Sequence, residues 1–122
     1  IGNACDSAPI TPLFVCEDGM AGPYPCNNYD LLAHIPVSVL ANTMGTPEGS
    51  DIWGWTDPTN AKEYALVATT NSTAFVDVTE PTAPIFLGRL DTSAGTNFWR
   101  DVKVYNNLVV SFSFIIDLIV RS

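Results

Sequence analysis

From residue 50 onward, short apolar runs rich in Val, Ile, Phe, Tyr and Trp alternate with clusters of Pro, Asn, Asp and Gly. Branched and aromatic side chains suit a pleated surface and the breakers end each run, so this texture reads as strands and turns. It predicts strands near 51–55, 63–69, 73–78, 85–90, 100–105 and 108–118. No stretch of this half repeats apolar residues at helical spacing over three turns. Residues 1–49 read differently. Pro9, Pro12, Pro23, Pro25, Pro36 and Pro47, with glycines interspersed, deny long helices and ladders. The one helical candidate there is 29–34, with Asn28 placed to cap it and Pro36 to end it. The expected class is all-β: an irregular segment over 1–49, then strand repeats over 50–122.

An internal repeat sharpens this expectation. Asp51-Ile52-Trp53-Gly54-Trp55 is echoed by Asp101-Val102-Lys103-Val104-Tyr105, and Phe75-Val76-Asp77-Val78 by Ile115-Ile116-Asp117-Leu118. A period of roughly 40–50 residues with four strands per unit is the mark of a propeller blade. Each blade buries its faces on its neighbours, and a ring needs about four of them. One blade and part of another fit here, which predicts a partial β-propeller.

Two segments carry a more specific likeness. The first is Cys16-Glu17-Asp18-Gly19-Met20-Ala21-Gly22-Pro23-Tyr24-Pro25-Cys26 followed by Asp30-Leu31-Leu32. The second is the series Asp51-Ile52-Trp53-Gly54-Trp55-Thr56-Asp57-Pro58, Glu63-Tyr64-Ala65-Leu66-Val67, Thr73-Ala74-Phe75-Val76-Asp77-Val78 and Trp99-Arg100-Asp101-Val102-Lys103-Val104-Tyr105. Together they resemble the N-terminal region of choice-of-anchor B family proteins, over about residues 16–107. The resemblance implies a secreted protein with LVIVD-type propeller repeats and, in the full-length family, a surface anchor. It implies location and fold more than activity. The tail departs from the family's pattern, because Leu108-Val109-Val110-Ser111-Phe112-Ser113-Phe114-Ile115-Ile116 carries no Gly, Asn or Asp turn residue.

Charge narrows the partners. Thirteen acidic residues against five basic ones give a net charge of −8, which repels nucleic-acid phosphates and anionic lipid heads. The acids are scattered singly and read as a solvated surface, and no cofactor is expected; calcium is the one cation they could hold. The run 108–120 is apolar but contains Asp117 and is shorter than the roughly 20 residues of a spanning helix. It reads instead as one long strand, pairing with 100–105 on one side and, on the other, with a strand beyond Ser122 or on another chain. A protein or surface polymer is the expected class of partner.

The chemistry-bearing residues read mostly as structure. Cys16 and Cys26 bracket a Gly- and Pro-rich loop, and closing it as a disulfide would stabilise by roughly 3 kcal/mol and imply an oxidising compartment. Cys5 then pairs outside this segment or remains a thiol. Asp77 and Asp117 end apolar runs and suit turn-closing carboxylates. Trp53 and Trp55 share a strand face and suit packing between blades, with a sugar-stacking platform (Trp99 included) as the weaker reading. Arg100 beside Asp101 suits an ion pair or a buried strut between blades. His34 is the only histidine, and no GxSxG or HExxH motif accompanies it. Asn71-Ser72-Thr73 matches a glycosylation sequon but reads as a polar hairpin turn. The function expected is an extracellular, non-catalytic binding or structural module. An accessory subunit of a larger assembly and a metal-dependent propeller hydrolase are the alternatives.

The bracketed loop yields a first test. Mass spectrometry of the non-reduced, alkylated chain should find Cys16 and Cys26 linked; alkylation of both without reductant would remove the bridge and the oxidising compartment together.

Overall fold

The computed structural model describes residues 12–42, 46–91, 100–113 and 119–121, with side chains described for all but 112, 113 and 119–121. Cys5, Trp99 and Asp117 lie outside the described residues. The chain divides into two compact units, Ile1–His34 with Pro81–Ala83 and Ile35–Glu80 with Pro84–Ser122. The division thus falls after His34, earlier than the expected 49/50, because the segment from Ile35 packs into the core of the second unit.

The first unit is a disulfide-stapled hairpin. Strands β1 (Met20–Ala21) and β2 (Tyr24–Pro25) pair antiparallel inside the Cys16–Cys26 loop, whose Cα atoms stand 6.0 Å apart. Gly22 turns the hairpin at φ +60°, and a Cβ there would meet the Phe14 ring at 2.5 Å, so the site needs glycine on both counts. Phe14 and Leu31 exchange backbone hydrogen bonds, and the Asp30 carboxylate accepts the Cys16 N–H at 2.8 Å.

That bridge explains why the helix expected over 29–34 does not form. Leu31 is held extended by Phe14, and the residue before a proline is steered away from the α region. The helix, α1 (Val37–Leu40), lies on the other side of Pro36, which stands at its N-cap with φ −61° and ψ 145°. Proline with φ preset near −65° is well placed to lead into a helix rather than end one.

Among the described residues the second unit is all-β apart from α1. Four strands form an antiparallel meander: β3 (Gly49–Thr56), β4 (Glu63–Thr69), β5 (Ser72–Asp77) and β6 (Ile85–Asp91). A second antiparallel sheet follows, β7 (Arg100–Tyr105), β8 (Leu108–Ser113) and β9 (Ile119–Arg121). β7 and β8 are joined through Asn106 and Asn107, at φ 48° and 61°, the left-handed pair that a two-residue hairpin of matching twist requires.

The expected 13-residue strand is corrected by this sheet. β8 ends at Ser113, and Val109, Val110 and Ser111 pair with Arg121, Val120 and Ile119 of β9. Over Val109–Ser111 the second edge of β8 is therefore paired within the same chain, where a strand beyond Ser122 or on another chain was expected.

β4 explains the packing. Its run Tyr64-Ala65-Leu66-Val67-Ala68 is apolar on both faces, so both must be covered. On one face Ala65 and Val67, with Ala74 and Val76 of β5, pack against Leu40 of α1, Ile35 and Phe86. On the other, Leu66 and Ala68, with Phe75, pack against Val102, Val104 and Val109 of the second sheet. Leu66 is 2% and Val102 0% exposed, while Ile52 on β3 is 63% exposed. Leu66→Ala should accordingly lower unfolding stability by about 3 kcal/mol, and Ile52→Ala by under roughly 0.5 kcal/mol, in denaturant titrations. Equal losses would show that the two sheets do not share a core.

Candidate functional site

The sheets are pinned at one end of β3 by polar contacts. Ser50 Oγ donates to the Arg100 carbonyl at 2.8 Å and accepts the Arg100 N–H at 3.1 Å. One residue on, the Asp51 carboxylate accepts the Val102 N–H at 3.0 Å and the Lys103 ammonium at 3.1 Å. Lys103 also stands 4.7 Å over the Trp53 ring, a cation–π contact that holds its charge between a carboxylate and an aromatic face. Deeper in, the hydroxyls of Thr73 and Ser111 bond at 2.9 Å, both side chains being about 1% exposed.

These contacts locate several of the residues singled out in the sequence. Arg100 is 1% exposed whereas Asp101 is exposed, as successive residues of a strand point to opposite faces. Arg100 is thus buried at the seam, and Asp51 and Lys103 form an ion pair across it. The fifty-residue echo of Asp51 by Asp101 is a likeness of sequence, since their side chains do different work. Trp53 and Trp55 share the face toward the second sheet but sit at its rim: Trp53 is 40% exposed and Trp55 is half-buried, which corrects the expectation of a fully packed core. Asp77 closes a turn, accepting the Thr79 N–H at 2.9 Å. Asn71 is 2% exposed in the β4–β5 turn and donates to the Asn42 side-chain oxygen at 2.7 Å, so the sequon is a buried hairpin. His34 meets Tyr24 edge-on, ring centres 5.5 Å apart, within the first unit.

At the far end of the same seam the sheets leave a cleft of about 270 Å3, walled by Trp55, Tyr64, Leu66, Phe75, Leu87, Val104 and Val109, with Asn107 at its edge. Trp55 and Tyr64, directly opposite on β3 and β4, stack with ring centres 5.5 Å apart and planes 25° apart. The Trp55 indole N–H donates to Asn107 Oδ1 at 3.3 Å, tying the β7–β8 hairpin to β3. Leu87 reaches the cleft through a β-bulge: Phe75 pairs with Gly88 and Val76 with Phe86, so Leu87 is the extra residue, beside Gly88 at φ +147°. Sequence reasoning marked Trp55 but missed Tyr64, Leu87 and Asn107. The Gly88 that interrupts an otherwise apolar strand was the available signal.

Three carboxylates of this unit are held below the ordinary range by hydrogen bonds: Asp51, Asp77 and Asp57, the last through the hydroxyl and N–H of Thr59. For Asp51 the Val102 N–H is the main cause, aided by Lys103 and opposed by partial burial. For Asp77 the cause is Thr79, through its hydroxyl and then its N–H, with Lys62 adding a smaller attraction. Among the described residues no group of three or more His, Cys, Asp or Glu is arranged to hold a metal ion. No helix among them is long and apolar enough to cross a membrane.

No protein-family model, no curated protein and no solved structure matches this chain.

The lowered Asp51 value has a definite sign. A carboxylate whose folded pKa is depressed stabilises the fold above its ordinary pKa, and that contribution is lost as pH falls through the folded value. Acid titration of the fold should therefore show a loss below about pH 4 that Asp51→Asn reduces. At neutral pH the same substitution should cost about 1 kcal/mol. Unchanged acid sensitivity in Asp51→Asn would mean that this carboxylate does not couple the sheets.

Proposed function

We propose that this chain is part of a secreted, non-catalytic β-propeller-type module that binds through the cleft between its sheets. One observation carries the reading. A four-stranded antiparallel meander is followed at once by a second antiparallel sheet lying face to face on it, and residues fifty apart, Ser50 and Arg100, meet at their first strands. That is how successive propeller blades, each burying its face on the next, would be expected to join. The likeness of the segments around Cys16–Cys26, Asp51–Pro58 and Trp99–Tyr105 to choice-of-anchor B proteins supports the same reading. The disulfide supports an oxidising, extracellular-type environment.

A binding rather than chemical role follows from what lines the cleft. Its walls are aliphatic and aromatic, with the Tyr64 hydroxyl and the Asn107 amide as their polar side-chain groups. Acid–base work needs a group that exchanges protons near neutrality, whereas shape and apolar contact are what this surface offers. Asp51 and Asp77 are both engaged by hydrogen bonds that favour their ionised form, which suits structural carboxylates and not general acids.

The opposing reading is a metal-dependent hydrolase. Thermal unfolding with and without calcium, run beside turnover of p-nitrophenyl phosphate and p-nitrophenyl acetate, separates the two. A binding module should show no calcium-dependent rise in Tm and no turnover. A calcium-dependent rise accompanied by turnover would overturn it in favour of the hydrolase.

A further inference from the structure

We infer that the cleft between the two sheets takes a small organic cation with a compact apolar body, an alkylated ammonium lodged against Trp55, Tyr64 and Phe75. The inference rests on the cleft being the module's binding surface and names the ligand class that its chemistry selects.

Size sets the first limit. A space of about 270 Å3 lies just under the range that holds drug-sized molecules, so the occupant is compact. The second limit is polarity. A sugar ring would bring several hydroxyls against walls whose polar side-chain groups are few, the Tyr64 hydroxyl and the Asn107 amide, whose oxygen already accepts the Trp55 N–H. Each hydroxyl desolvated without a partner opposes binding, so the stacking reading of these aromatic residues favours a ligand with an apolar surface.

Charge then decides between neutral, anionic and cationic occupants. The register aligns Trp55, Tyr64 and Asp77 as one row across β3, β4 and β5, two aromatic rings ending in a carboxylate on the same face. Ring faces carry negative potential and attract alkylated ammonium groups, whose charge is spread over apolar carbon and is cheaply desolvated. Thr79 keeps the Asp77 carboxylate ionised, and Lys62 on the neighbouring loop is the cation that acts on it. Two basic side chains of the same sheets are engaged elsewhere: Lys103 with Asp51 and Trp53, and Arg89 with Asp91 at 3.2 Å. Over the whole chain the charge of −8 raises the local concentration of cations and lowers that of anions. Charge complementarity thus points to one class, with apolar contact from Phe75 and Leu87 holding the body of the ligand and the aromatic row holding its charge.

The test uses three isosteres, choline, the neutral 3,3-dimethylbutan-1-ol and the anion 3,3-dimethylbutanoate, titrated into the 122-residue chain. The indole N–H resonances of Trp53 and Trp55 are followed, and Trp55→Phe assigns the latter by its disappearance. Choline should move the Trp55 signal and bind about tenfold more tightly than the neutral isostere, with the anion weakest. Asp77→Asn keeps an oxygen for Thr79 while removing the charge, and should narrow the gap between choline and its isostere about threefold. Added salt should narrow it further. If the neutral isostere binds as tightly as choline, the cation assignment is wrong while the cleft remains a binding surface. If none of the three moves Trp55, both readings fall. A response confined to Trp53 overturns the assignment as well, because the cation is then held on the Asp51–Lys103 side of the seam.

Discussion

A single strand that is apolar on both faces governs the second unit. β4 sits inside its sheet with β3 and β5 on either side, so its backbone is paired, yet neither of its faces can be left to water. Covering two faces requires two further layers. α1 and the segment from Ile35 supply one, and β7 with β8 supply the other. The second sheet is therefore no appendage. Removing it would expose Leu66, Ala68 and Phe75 together, an apolar stripe of the kind that drives association between chains. The helix, four residues long, has little stability of its own and exists because Leu40 is buried on Ala74 and Val76.

Apolar burial alone does not say how the second sheet should lie, because the hydrophobic effect has no direction. The polar contacts supply that direction. Ser50 with Arg100 and Asp51 with Val102 fix β7 against β3 at one end, Thr73 with Ser111 fixes the interior, and Trp55 with Asn107 fixes the hairpin at the other end. Thr73 and Ser111 are the most telling pair. Two hydroxyls that leave water satisfy each other only in one alignment, and a slip would leave both desolvated, at a cost of about 1–3 kcal/mol each. The same pins define the cleft, since its walls are held at both ends of the seam while its aromatic lining stays half-exposed.

Much of this was legible in the sequence. Strands β3 to β7 lie within one or two residues of their expected places, because runs of branched and aromatic residues bounded by Pro, Asn and Asp are a local signal. Cys16 and Cys26 were readable for the same reason: a short loop rich in turn residues brings its ends together. The failures came where a distant contact overrode local pattern. Residues 29–34 look helical in isolation, but Leu31 is claimed by Phe14, seventeen residues earlier, and no local feature announces that bridge. The tail 108–120 looks like one strand because each of its residues favours a strand. The pairing of Val109 with Arg121 depends on a reversal that its composition does not signal. Trp53 and Trp55 were placed on the right face, yet their burial depends on how far the neighbouring sheet extends, which strand periodicity does not encode. Half of the cleft was invisible for that reason: Tyr64 is an ordinary strand tyrosine until Trp55 is set opposite it.

The bulge in β6 joins the architecture to the cleft. β6 closes the four-stranded sheet, and a flat outer strand invites pairing with any other strand that meets it. Gly88 at φ +147° and the unpaired Leu87 break its ladder in the middle, while Arg89 and Asp91 set an ion pair beside the break. Bulge and charge together make the edge a poor template. The cost is that Leu87, 56% exposed, is turned out of the regular pleat. Its side chain instead completes the wall opposite Val104 and Val109. The bulge that spoils the edge as a template thus also shapes the cleft, because the residue it displaces from the ladder is one of the apolar side chains that wall it.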